Sequence, residues 1–187
     1  MRAFKKLYFG YGANTNKEAM AVRCPDAEAL GIVSINDHRL VFRGVADVEP
    51  FKGSRVCGAL WEITPEDEAA LDHFEGFPNL YIKTSFPLVW EGVKRHVMLY
   101  IMRTGRREYA LPSGFYEQTL RDGYGHFGIG KGQLNKAIRH ARQCAKENWG
   151  ASAPPLRAVP SRWSERTKET WGGNYLLPNP TGYTGSW

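Results

Sequence analysis

Between residues 6 and 103 the chain keeps repeating one device, a short run of β-branched and aromatic residues closed off by a turn. Such runs read as strands, and they are expected at 6–11, 29–35, 39–46, 55–63, 80–90 and 94–103. A single helical segment lies among them. Without a regular strand–helix alternation a doubly wound sheet has nothing to build on, and a curled or barrel-like sheet is expected instead. The helix has sharp limits. Thr64 stands where an N-cap is needed, Pro65 occupies the first position, and Glu66 and Asp67 sit in the positive first turn. It should run to about Phe74, after which Gly76 stops it by adopting a left-handed conformation without a Cβ penalty.

Beyond residue 103 the pattern becomes helical. A second helix is expected from Pro112-Ser113 through Phe115, Tyr116 and Leu120, and a third over 133–149. In the third, Leu134, Ile138, Ala141, Ala145 and Trp149 recur on one face, with Lys136, Arg139 and Lys146 on the other. After Gly150 the periodicity fades into Pro154, Pro155, Pro160, Pro178 and Pro180 with Trp163, Trp171 and Trp187. The expected organisation is one domain over 1–150 and a Pro/Trp-rich extended tail over 151–187. The tail would pack on the domain or on a partner, with one helical turn at 164–171.

Charge reinforces this division. The formal net charge is +6, yet residues 1–130 carry 16 basic and 16 acidic side chains, so the whole excess falls in 131–187. A pI near 9.3 invites a nucleic-acid reading through counterion release. The excess sits on one helix and the tail, however, so a nucleic-acid partner is not expected and the core chemistry is left untouched. A protein partner reached through the basic, Trp-rich C-terminal region is the alternative use of that segment. Cys24, Cys57 and Cys144 are odd in number and lack C-x-x-C spacing, and His38, His73, His96, His126 and His140 show no ligand-type pairing. Neither a disulfide framework nor a metal site is indicated, and reduced thiols point to a cytoplasmic setting. The basic start is followed by an apolar stretch that Gly10 and Gly12 break, which does not suit a signal peptide. No apolar run reaches the length of about 18 residues that a membrane span requires.

Three motifs bear on chemistry. Gly123-Tyr124-Gly125-His126-Phe127-Gly128 matches G-x-G-x-x-G, and Gly125 to Lys131 matches most of a phosphate loop. Neither follows a buried strand, and Gly132 stands where a magnesium-holding Ser or Thr belongs, so this stretch is expected to be a flexible connection. The second motif is Tyr11-Gly12-Ala13-Asn14, a tight turn at the end of the first strand. Such a turn is often only a turn, but its consecutive N–H groups can also cup an anion such as a carboxylate. The third is Glu75, at the carboxyl end of the well-marked helix and between Phe74 and Phe77. Helix-end negative charge and apolar neighbours both push a carboxyl pKa upward.

Taken together, these residues resemble the gamma-glutamylcyclotransferase-like, or AIG2-like, family. The likeness rests on Tyr8-Phe9-Gly10-Tyr11-Gly12-Ala13-Asn14, on Met20 with Arg23-Cys24-Pro25, and on Gly31 and Arg39-Leu40-Val41-Phe42. It continues through Val56–Trp61, Leu71–Tyr81 and Pro112-Ser113 with Tyr116. The resemblance implies an α+β fold, a small mixed β-barrel with flanking helices. It also implies a small-molecule γ-glutamyl substrate cyclised to 5-oxoproline, with no cofactor. Glu75 would be the catalytic acid and base. Tyr11, Gly12, Ala13 and Asn14 would hold the substrate carboxylate, with Tyr81 and Tyr116 lining or supporting the pocket. Ala13 departs from the family's usual Ser, which removes a hydroxyl but leaves the backbone donors. A non-catalytic protein binding a small molecule or a partner in the same pocket is the rival expectation.

Overall fold

The computed structural model describes residues 5–103 and 108–150. Five strands, β1 (Lys6–Gly10), β2 (Glu28–Phe42), β3 (Ala46–Ile63), β4 (Tyr81–Trp90) and β5 (Val93–Met102), form one sheet in the order β2-β3-β1-β5-β4. The sheet is mixed, because β1 runs antiparallel to β3 but parallel to β5. Its outer strands β2 and β4 come together through side chains. The His38 ring meets Phe86 edge-on at 4.8 Å, and Trp90 lies 2.9 Å from where a Gly31 Cβ would stand. The sheet thus curls into the expected barrel-like form, with side-chain contact where the ladder ends.

The runs 39–46 and 29–35 do not make two strands. The run 29–35 and residues 39–42 of the other belong to β2, which continues through an irregularity between Asn36 and His38 with Asp37 at positive φ. The actual turn falls at Arg43–Val45, and β3 then extends from Ala46 through the stretch 47–54. A bulge bends a strand without ending it, and polar residues there resemble a turn in sequence.

Four helices flank the sheet: α1 (Lys17–Arg23), α2 (Pro65–Glu75), α3 (Gly114–Phe127) and α4 (Gly132–Gly150). The limits of α2 are the expected ones. Thr64 and Asp67 form a reciprocal capping box, and Gly76 closes the helix at φ 63°. Helix α3 corrects the flexible-connection reading of 123–128. Gly123 and Gly125 both lie inside it, and it ends only at Gly128. On α4, Leu134, Ile138 and Ala141 are buried as the apolar spacing requires. The Trp149 side chain and the whole tail beyond residue 150, including the turn expected at 164–171, lie outside the described residues.

Successive residues of β1 are buried on opposite faces, which serve two cores. Phe9 joins Phe42, Leu60, Leu99 and the α3 and α4 residues Leu120 and Leu134, whereas Tyr8 joins Met20, Trp61, Leu71, Tyr81 and Tyr100. A strand buried on both sides brings its carboxyl end deep into the molecule. The turn that follows it is therefore buried as well: Ala13, Asn14 and Thr15 are all inside.

Candidate active site

The turn after β1 is a single 3₁₀ turn. The Thr15 N–H donates to the Gly12 carbonyl and the Asn16 N–H to the Ala13 carbonyl, each at 3.0 Å. Asn16 then accepts from the Ala19 N–H at 3.1 Å and so caps α1. Gly12 sits in a close approach. A Cβ there would stand 3.1 Å from both the Ala46 Cβ and the Tyr116 hydroxyl.

Asn14 is the hub. Its Nδ2 donates to Glu75 Oε1 at 2.8 Å and to the Tyr8 hydroxyl at 2.7 Å. Its Oδ1 accepts from the Arg23 guanidinium, and its carbonyl accepts from Trp61 Nε1 at 2.9 Å. The side chain thus uses both of its donors on protein partners. Arg23 itself lies flat on Phe74, its guanidinium carbon 3.3 Å from the ring centroid.

Glu75, the last residue of α2, therefore meets the turn directly. Burial raises its pKa from 4.5 to about 7 against the lowering effects of the Arg23 charge and the Asn14 hydrogen bond. Its environment has little to compensate ionisation beyond those two groups, so protonation near neutrality follows. Phe74 shares in this region through its contact with Arg23. Phe77 does not act as expected: it is 38% exposed and carries the Lys83 ammonium 4.8 Å from its ring centroid.

Tyr81 and Tyr116 meet at one residue. The Tyr81 hydroxyl donates to the Ala46 carbonyl at 2.5 Å, and the Tyr116 hydroxyl accepts from the Ala46 N–H at 3.1 Å. Tyr11 turns its hydroxyl to the Tyr100 carbonyl at 2.6 Å. The phenols of Tyr8, Tyr11, Tyr100 and Tyr116 are all raised in pKa, first by burial, then for Tyr100 by its hydrogen bond to Asp72, and in each with a contribution from the charge of Glu75. They line the surroundings of Glu75 as neutral groups. Arg23, Tyr8 and Tyr100 received no role from sequence reasoning. Tyr8 and Arg23 left a usable signal, since both stand in the segments that carry the family likeness.

Such an arrangement offers one carboxyl able to take and return a proton near neutral pH beside a turn of backbone donors. Among the described residues no group of three or more His, Cys, Asp or Glu side chains is placed to hold a metal ion. No helix among them is long and apolar enough to cross a membrane.

Comparison with curated protein sequences finds no match. Solved structures do match. A structure described as "Gamma-glutamyl cyclotransferase" superposes with a TM-score of 0.62 at 21% identity, over 83% of this chain and 92% of its own. An uncharacterised protein from Homo sapiens gives 0.62 at 22% identity over the same shares of the two chains. YkqA from Bacillus subtilis gives 0.59 at 19% identity, over 75% of this chain and 55% of its own. At these identities the likeness establishes the fold. The family described as "Gamma-glutamyl cyclotransferase, AIG2-like" matches residues 8–118, a span that holds the turn, Glu75, Tyr81 and Tyr116. The chain belongs to the gamma-glutamyl cyclotransferase, AIG2-like family.

Proposed function

We propose that this protein is an enzyme that cyclises a γ-glutamyl amine or peptide to 5-oxoproline and releases the free amine or amino acid, with Glu75 as general acid and base. The observation that carries this reading is the Glu75 carboxyl, held by Asn14 at 2.8 Å with its pKa raised to about 7. A carboxyl with that midpoint exchanges protons readily in both directions at neutral pH.

The substrate brings its own nucleophile. Its α-amine reaches its γ-carbonyl carbon to close a five-membered lactam, and holding the chain curled lowers the barrier by proximity. The α-nitrogen arrives as an ammonium. The Glu75 carboxylate takes a proton from it, the new bond from nitrogen to the γ-carbon forms, and the bond from that carbon to the leaving nitrogen breaks. Glu75 returns its proton to the departing nitrogen, and the amine product completes its protonation from solvent as the lactam nitrogen gives up its surplus proton. No oxidant, metal or cofactor is consumed in this balance. Backbone N–H groups of the turn Tyr11–Asn14 would cup the substrate α-carboxylate, an assignment that tolerates Ala13 because it uses no side-chain hydroxyl. Tyr81 and Tyr116 would hold Ala46 and the turn in place. The setting proposed is cytoplasmic.

The test is incubation with a panel of γ-glutamyl amines and peptides and chromatographic detection of 5-oxoproline. Turnover is expected for the wild type, with a loss of about 10²-fold or more in Glu75→Gln. Binding of panel members with no 5-oxoproline formed would instead make the protein a non-catalytic binder.

A further inference from the structure

Arg23 is the one charged side chain among the groups gathered around Glu75. The field of that carboxyl reaches Tyr8 and Tyr11 from β1 and its turn, Tyr100 from β5, whose hydroxyl donates to Asp72 of α2, Tyr116 from α3 and Arg23 from α1. The four phenols are held neutral by burial. Arginine keeps its charge at any pH a protein survives.

Arg23 also settles a choice of orientation. An asparagine amide has one accepting edge and one donating edge, and turning it by half a rotation exchanges them. At Asn14 the exchange is forbidden, because the guanidinium can only donate and must therefore face Oδ1. The donating edge is thereby left for Glu75 Oε1 and the Tyr8 hydroxyl. A reversed amide would aim its oxygen at the carboxylate. Arg23 is in turn fixed by its stacking on Phe74, the residue before Glu75. One cation thus locks the amide and the adjoining end of α2.

We propose that Arg23 is a positioning residue for the acid–base step: its hydrogen bond to Asn14 sets the amide's donating edge toward Glu75, and its charge keeps that carboxyl available as a base. The proposal rests on the acid–base role given to Glu75. Arg23 acts on the carboxyl through the amide to which it donates and through its charge.

Direct titration separates the two ideas. The ¹³C signal of the Glu75 side-chain carboxyl is followed against pH in the ligand-free full chain, for the wild type, Arg23→Met, Arg23→Gln and Arg23→Lys. Loss of the cation and of the amide lock both disfavour the carboxylate, so the midpoint must move upward. We expect a rise of about one unit in Arg23→Met, a smaller rise in Arg23→Gln, which keeps a donor but no charge, and near wild-type behaviour in Arg23→Lys. Where turnover is present, the acid limb of kcat/KM should rise in step, with about fivefold loss at neutral pH in Arg23→Met and recovery in alkaline buffer. If Arg23→Met does not fold, Arg23→Gln against Arg23→Lys gives the same comparison. A Glu75 midpoint unchanged in Arg23→Met, or in Arg23→Gln if only that variant folds, overturns the proposal. A shifted midpoint in a protein that forms no 5-oxoproline would uphold the electrostatic role of Arg23 while refuting the enzymatic reading.

Discussion

Asn14 Nδ2 and Glu75 Oε1 are joined by a 2.8 Å hydrogen bond that ties the turn after the central strand to the last residue of α2. Two segments distant in sequence are thereby fused into one site. The bond also has a thermodynamic consequence, because the carboxyl it reaches is partly buried and reluctant to ionise.

Glu75→Gln should make the protein more stable at alkaline pH. The Glu75 pKa rises from 4.5 to about 7 on folding, so across that interval the folded state holds a proton that the unfolded chain has released. Stability therefore falls as pH rises through the window, by about 3 kcal/mol in all. Glutamine keeps an oxygen for Asn14 and has nothing to ionise. Denaturant unfolding at pH 4 should show the two proteins within about 0.5 kcal/mol of each other, and at pH 8 the variant should lead by about 2–3 kcal/mol. A lead of equal size at both pH values would mean that ionisation is not its source.

Two glycines one turn-step apart in α3 should respond in opposite directions. A Cβ at Gly123 would lie 2.4 Å from Thr15 Oγ1 and 2.6 Å from the Asn16 nitrogen, whereas at Gly125 nothing stands within 4 Å. The first clash involves backbone, which cannot step aside alone, so Gly123→Ala should destabilise by about 1–3 kcal/mol. It should also disturb the turn that carries Asn14. Gly125→Ala only removes helix-interior flexibility and should stabilise by about 0.5–1 kcal/mol. Thermal unfolding of the pair decides this. Two melting shifts of the same sign would contradict the packing assigned to Gly123.

This pair also shows where the sequence is opaque. Gly-x-Gly reads locally as a loop, but the reason for Gly123 is the neighbouring 3₁₀ turn, more than a hundred residues earlier in the chain. The ends of α2 were legible because Thr64, Pro65, Asp67 and Gly76 act within a few residues of one another. The strand segments were legible through composition, and their joining into long β2 and β3 was not, since a bulge and a turn use the same residue types. For the site, Glu75 and the turn received roles through the family likeness, while Arg23, though it stands among the residues that carry the likeness, received none. Its importance comes from a guanidinium crossing from α1 to an amide and a ring, a relation that no spacing encodes.

Asn14→Asp tests the hub with the smallest change available. Aspartate has the same shape but offers acceptors where Asn14 now donates to Glu75 and Tyr8. Two carboxyls would then share one buried site, and such a pair keeps a proton between them to higher pH than either group alone. Arg23 would still satisfy one oxygen of the new side chain, so at pH 5 the variant should be nearly as stable as the wild type. At pH 8 both groups are driven to ionise, and the like charges should cost about 2–4 kcal/mol. Turnover at neutral pH should fall, with the acid limb moved upward, because the base form of Glu75 becomes scarcer. Unfolding at the two pH values, with the pH profile of 5-oxoproline formation beside it, reads both effects. Equal stability of variant and wild type at pH 8 would show that the Asn14 amide does not hold the Glu75 carboxyl in solution.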